Sequence, residues 1–231
     1  MSPLRVDILT LFPGIFDSPL RESILARAIA QEVLQVQVHD IREHAHDRHR
    51  TTDDYAFGGG PGMVMKPDPI FEAVEALGPE PKRVILLSPA GRTFDQPLAR
   101  ELAGESHLVL ICGRYEGVDE RVVEGLPAEE VSIGDFVLSG GESAALVVLE
   151  AVSRLVPRVV GNEESLAAES FEQGILDHPQ YTRPREFRGM EVPEVLHSGD
   201  HRKIEEWRRE AALEKTRRNR PDLLKHDREQ R

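Results

Sequence analysis

Three stretches of this 231-residue chain set glycine among polar side chains where an apolar run stops. They are Ser88-Pro89-Ala90-Gly91-Arg92, Gly113-Arg114-Tyr115-Glu116-Gly117 and Leu138-Ser139-Gly140-Gly141-Glu142. Glycine lets a backbone approach a ligand, and in open parallel sheets ligands bind beyond the carboxyl ends of strands, so three such turns suggest one pocket. Any single one is explained more simply by a turn from strand to helix. None fits G-x-G-x-x-G with a downstream acid, and G-x-x-x-x-G-K-[ST] does not occur, so neither a dinucleotide nor a P-loop nucleotide is expected.

A second group of polar residues is His44-Ala45-His46-Asp47-Arg48-His49. It resembles the H-x-H-x-D-H string of dinuclear metallo-hydrolases, but the acid falls one position early and Arg48 fills its slot, where a cation repels metal. With Arg42, Arg48 and Arg50 interleaved, the segment suits phosphate or base contacts; a solvated polar loop is the competing explanation. Gly58-Gly59-Gly60-Pro61-Gly62 reads as an anion nest or, more simply, a hinge. Arg154 lies four residues after Glu150, the spacing of an intrahelical ion pair. Glu169 sits between Gly161 and Gly174 among four acids and no base.

The elements that must carry these groups alternate. Leu4 to Leu11 reads as a buried strand, Asp17-Ser18-Pro19 as a helix start, and Leu34, Val36 and Val38 as a second strand. Arg42 to Lys66 lacks either periodicity and is longer than a connection needs. Then follow strand Val84–Leu87, helix Gln96–Ala103, strand His107–Cys112, a short helix at Asp119–Glu124, strand Val131–Leu138 and helix Glu142–Val156. This order predicts an α/β fold, a parallel sheet with helices on both faces. The expected domains are 1–160, a Pro-, Gly- and Glu-rich linker 161–199, and a small helical domain 200–231 whose helix runs from Gly199-Asp200 past Pro221.

A formal charge of −12 argues against a simple nucleic-acid-binding protein. The charge is uneven, however: residues 201–231 hold 11 Lys/Arg against 7 Asp/Glu, which leaves 18 against 34 in residues 1–200. That basic surplus fits an RNA-contacting tail or a helix laced with Glu–Arg pairs. The longest purely apolar run, Ala144 to Leu149, is too short to cross a bilayer. The first residues do not read as a signal peptide, and the single Cys112 suits a reducing compartment, so a cytoplasmic location is expected.

Several strings go further. His46 to Asp54 (HDRHRTTDD) followed by Tyr55 to Met63 (YAFGGGPGM), then Cys112 to Arg121 (CGRYEGVDER), Ile133 to Glu142 (IGDFVLSGGE) and Tyr181-Thr182-Arg183-Pro184 closely resemble the bacterial tRNA (guanine-N1)-methyltransferase family of the SPOUT class. The resemblance covers nearly the whole chain. It implies a homodimer, S-adenosylmethionine as methyl donor, guanine 37 of tRNA as target, and a trefoil knot over about residues 84–141. It also implies donor contacts from Pro89, Gly113, Tyr115, Glu116, Ile133, Gly134, Asp135, Phe136, Val137, Leu138, Gly140 and Gly141. Phe136 stands where the family commonly has Tyr.

The family's catalytic Arg matches Arg154, which would face charge developing on O6. Its catalytic Asp falls on Glu169 of Glu169-Ser170-Phe171, which keeps the carboxylate of a general base and adds a methylene. His46, Arg48, Arg50 and Asp53, with the C-terminal helices, become candidates for holding tRNA. Magnesium is expected from the family, without a ligand that the sequence names. Two other functions compete: a non-catalytic RNA-binding module, opposed by the pairing of Arg154 with Glu169, and a ribose-modifying relative, which the motifs do not favour.

Overall fold

The computed structural model describes residues 2–80, 82–161, 166 and 169–224. The chain divides into two compact units, residues 1–161 and 162–231.

The first unit is built on a five-stranded sheet in the order β2-β1-β6-β5-β7. Its strands are β1 (Leu4–Thr10), β2 (Leu34–Asp40), β5 (Arg83–Thr93), β6 (His107–Cys112) and β7 (Glu129–Ser132). Every pairing within it is parallel, with Val6 opposite Val36 and Leu108, and Ile85 opposite Leu110 and Glu129. Because side chains alternate across a strand, each strand feeds two cores. Leu4, Val6, Ile8, Leu108, Leu110 and Cys112 pack with α1 (Ser23–Ala30), α3 (Gln96–Ala103) and α5 (Glu142–Ser153). Leu9, Val109 and Ile111 pack instead with α2 (Pro67–Glu75) and α4 (Arg121–Gly125).

Helix starts follow local chemistry. Asp95 caps α3 by accepting the Leu98 N–H at 2.9 Å, with proline in the first turn, and Pro67 opens α2. The stretch expected as a long loop contains a two-residue hairpin, β3 (Asp53–Asp54) with β4 (Val64–Met65). The expected strand over Val131–Leu138 ends early, at Ser132. Gly134 has φ +145, and the Ser132 hydroxyl donates to the Gly134 carbonyl at 3.1 Å, which turns the chain out of the sheet.

Strand β5 is longer than the apolar run that announces it. It meets Val131 twice, through Leu87 and again through Arg92, with residues 88–91 between the two contacts. Gly91 permits this approach: a Cβ there would stand 2.3 Å from the Glu130 carbonyl carbon.

In the second unit, α6 (His201–Asn219) is capped by Asp200, which accepts the Lys203 N–H at 3.2 Å. The helix ends at Asn219 rather than running past Pro221, since proline supplies no N–H and disfavours helix in the residue before it. Ion pairs Arg202–Glu206, Arg208–Glu205 and Arg217–Glu214 line its surface. Before it come the hairpin of β8 (Glu186–Phe187) with β9 (Met190–Glu191) and a single turn at Glu194–His197. Residues 162–165, 167 and 168 of the expected linker, and 225–231 of the expected terminal domain, lie outside the described residues.

Candidate active site

The middle of β5 and the carboxyl ends of β6 and β7 surround a cavity of about 410 Å³. Its walls include parts of all three glycine-bearing stretches: Ser88 and Pro89 within β5, Gly113 to Val118 after β6, and Ile133, Gly134 and Phe136 to Gly141 after β7. Of the residues expected to contact a donor, Pro89, Gly113, Tyr115, Glu116, Ile133, Gly134, Phe136, Val137, Leu138, Gly140 and Gly141 line it, and Asp135 does not.

Backbone contacts weld the turns together. The Gly141 N–H donates to the Gly113 carbonyl at 2.9 Å, and Arg114 forms an antiparallel bridge with Gly140. A Cβ on Gly141 would stand 2.8 Å from the Cys112 Cα, so this glycine permits the close approach of α5 to the end of β6. The 113–118 turn is also tied to the hairpin loop: Glu116 N–H donates to Met63 O at 3.0 Å and Met65 N–H to Gly117 O at 2.9 Å.

Two charged residues absent from the sequence-derived site meet here, Arg114 in the wall and its partner Glu142, which does not line the cavity. Glu142, the first residue of α5, is buried, and its carboxylate accepts from Arg114 Nε at 3.2 and 3.1 Å, Arg114 Nη2 at 2.9 Å and Thr10 Oγ1 at 2.8 Å. Arg114 in turn lies over the Phe12 ring at 4.4 Å. Both residues stand inside the quoted strings, but 28 positions separate them and no local pattern marks a long-range pair. Cys112 beneath them is fully buried; burial first, and the Glu142 charge second, push its thiol far above the ordinary range, so it is no nucleophile.

Tyr115 holds a left-handed φ of +62 at the rim and hydrogen-bonds Asp53. Partial burial, then the Asp53 charge, raises its phenol pKa. The structure therefore brings one expected RNA-contacting residue to a cavity residue.

The remaining candidates lie elsewhere. His46 Nε2 pairs with Glu72 at 2.6 Å, and Asp47 folds its own loop by accepting from Thr51 N and Oγ1, each at 2.7 Å. Those two bonds and one from His49 N–H lower the Asp47 pKa. Both groups are thus engaged locally, and Arg48 and Arg50 are exposed. Among the described residues, no three His, Cys, Asp or Glu side chains gather to hold a metal ion.

Arg154 closes α5, half-buried, with its N–H on the Glu150 carbonyl at 3.2 Å. Glu169 belongs to the second unit and is also half-buried. It opens a compact turn in which Phe171 N–H donates to Ile175 O at 2.8 Å and Asp177 N–H to Ser170 Oγ at 2.9 Å.

A parallel α/β sheet with a cavity walled by turns at its strand ends defines a ligand-binding α/β protein of the open-sheet kind. Sequence comparison narrows this: residues 4–226 match the family described as tRNA (Guanine-1)-methyltransferase TrmD, and the chain belongs to that family. The chain is similar to proteins named tRNA (guanine-N(1)-)-methyltransferase. That of Dehalococcoides mccartyi is 53% identical over 224 residues, 96% of this chain and 90% of the relative. Those of Dictyoglomus turgidum and Moorella thermoacetica are 55% and 56% identical, with the same two coverages.

Proposed function

We propose that this protein transfers the methyl group of S-adenosylmethionine to N1 of guanine 37 in tRNA. The observation that carries the reading is the convergence of eleven expected donor-contacting residues on one cavity, in a chain whose relatives are named tRNA (guanine-N(1)-)-methyltransferase. The cavity's charge fits a cationic donor: Arg114 is neutralised by Glu142, which leaves Glu116, Glu120 and Glu130 in the lining. S-adenosylmethionine, when bound, supplies a methyl group on a positively charged sulfur.

The protein's own residues divide the remaining work. Guanine N1 keeps its proton at neutral pH, so Glu169 takes that proton as general base. Arg154 stabilises the negative charge that develops on O6. Tyr115 and the backbone of the 133–141 run enclose the donor, and the apolar Phe136, Val137 and Leu138 exclude water from it. His46, Arg48, Arg50 and Asp53 with α6 hold the tRNA through local patches on an acidic protein. No step is assigned to magnesium, an ion that keeps most of its water and needs only one or two carboxylates beside a phosphate.

The working unit is a homodimer in the cytoplasm. Its parts are a donor-binding domain 1–160, a linker 161–199 and a tRNA-contacting domain 200–231. Residues 84–141 form a trefoil knot, a reading that rests on the family to which the chain belongs. No helix among the described residues is long and apolar enough to cross a membrane.

Labelled S-adenosylmethionine incubated with tRNA transcripts carrying G37 or A37 tests the reading. Label at N1 of G37 alone is the expected result. Label on another base, on ribose, or none at all overturns it.

A further inference from the structure

The turn that carries Glu169 is seated on α6 by two contacts the proposed mechanism does not use. Thr216 is wholly buried, and its hydroxyl donates to the Ala212 carbonyl at 2.7 Å. With its proton committed there, the oxygen turns a lone pair outward and accepts the Leu176 N–H at 3.0 Å. One turn further on, the Arg220 guanidinium lies over the Phe171 ring at 5.7 Å, and Asp222 braces it at 2.6 Å. Phe171 itself holds a left-handed φ of +78, a conformation that a non-glycine residue adopts only when its surroundings enforce it.

These contacts close a circuit. Glu169 O accepts Glu172 N–H at 3.3 Å, Phe171 pairs with Ile175, Ser170 holds Asp177, and Leu176, inside that turn, hangs on Thr216. The nine-residue segment Glu169 to Asp177, pinned at Phe171 and Leu176, has little freedom to move its first carboxylate. Proton transfer needs the base within hydrogen-bond reach, and a misplacement near 1 Å costs about 10²-fold in rate.

We propose that Thr216 and Arg220 are positioning residues for Glu169: α6, beyond any contact with RNA, fixes where the general base stands. This rests on the reading of Glu169 as that base.

The test uses the full-length protein, saturating S-adenosylmethionine and G37 transcript, and single-turnover kinetics. Thr216→Val keeps the shape and removes the acceptor, and about a 10-fold slower methyl transfer is expected, with donor and tRNA dissociation constants within about 2-fold of the parent. Thr216→Ser restores the hydroxyl and is expected within about 2-fold of the parent rate, a rescue that loss of packing alone does not give. Should Thr216→Val fold too poorly to assay, Arg220→Ala at an exposed position takes its place, with about a 3-fold to 10-fold slower transfer expected.

Glu169→Gln, run beside them, separates the two ideas. If it is slow while Thr216→Val or its substitute matches the parent, the positioning role is overturned and the base survives. If Glu169→Gln itself matches the parent, both fall. A variant that loses only tRNA affinity, with the saturated rate intact, also overturns the proposal.

Discussion

The pair between Glu142 and Arg114 should be worth more than its place at the rim of a cavity suggests. The Glu142 side chain is 2% exposed and Arg114 19%, so most of the pair is cut off from water. Glu142→Ala removes three Arg114 contacts and the acceptor of Thr10, and leaves a guanidinium mostly buried without its counter-charge. Removing one partner of a buried pair costs about 3–5 kcal/mol, and Arg114's residual exposure and its place over Phe12 set the lower end, about 3. For a unit of this size that corresponds to about 6–12 °C in Tm. Arg114→Ala should cost a similar amount, because it leaves Glu142 buried with Thr10 alone. The double variant should then lose far less than the sum, a coupling of about 2–3 kcal/mol. Far-ultraviolet circular dichroism in urea is the assay, because the only Trp, Trp207, belongs to the second unit and its fluorescence reports on that unit. The transition assigned to the first unit is the one to analyse, since two units need not unfold together. A coupling below about 0.5 kcal/mol would mean that the pair behaves as an exposed one, and the reasoning fails.

Gly141→Ala forces a Cβ to 2.8 Å from Cys112 Cα, a clash with backbone that cannot rotate away; donor affinity measured by calorimetry should fall about 10-fold or more, and an unchanged affinity refutes the close-approach argument. Arg154→Ala should slow single-turnover methylation about 10²–10³-fold with donor affinity intact, whereas an equal loss in Glu150→Ala would assign Arg154 to helix pairing instead. Gly141→Trp protomers mixed with Glu169→Ala protomers should recover activity by subunit exchange, with one intact cavity served by Glu169 of the other chain; a verified heterodimer as inactive as its parents would put cavity and base on one chain. Asp7 is buried, and although burial raises its pKa, hydrogen bonds from His39 at 2.6 Å and His107 at 2.7 Å, with the Arg5 charge, bring it below the ordinary 3.8. A depressed folded-state pKa gives stability that is present above 3.8 and lost as pH falls through the lower folded value. Asp7→Asn should therefore flatten the acid limb of the urea-midpoint profile below about pH 5, and an unchanged slope there would remove Asp7 from that limb.

What the sequence discloses about this fold depends on whether the signal is local. Helix α3 is readable because Asp95 caps it and Pro97 opens it, and β6 because His107 to Cys112 is buried throughout. Helix α2 escapes notice: the sequence reading passes from the Gly-rich run ending at Lys66 to the strand at Val84, although proline in a first turn is also a helix start. The second half of β5 escapes for a different reason. Ser88 to Thr93 has no strand periodicity, and its pairing with β7 depends on a register shift that brings both Leu87 and Arg92 opposite Val131, which only the assembled sheet can specify. The apolar run Phe136-Val137-Leu138 misleads in the opposite direction, since it lines the cavity instead of extending β7.

The same distinction governs the site. Glycine turns are legible because a backbone that must approach another backbone needs a residue without Cβ, and that need is written in one letter: Gly91 against Glu130, Gly141 against Cys112. Charges that hold the turns in place are not so written, because Glu142 finds Arg114 and Thr10 only once β1, β6 and α5 lie side by side. Thr216 is harder still, a helix-interior threonine whose hydroxyl reads as helix back-bonding until Leu176 is found on its other side. Family strings mark the residues proposed to touch ligands, and the partners that hold them in place are found by following each buried polar atom to its hydrogen bond.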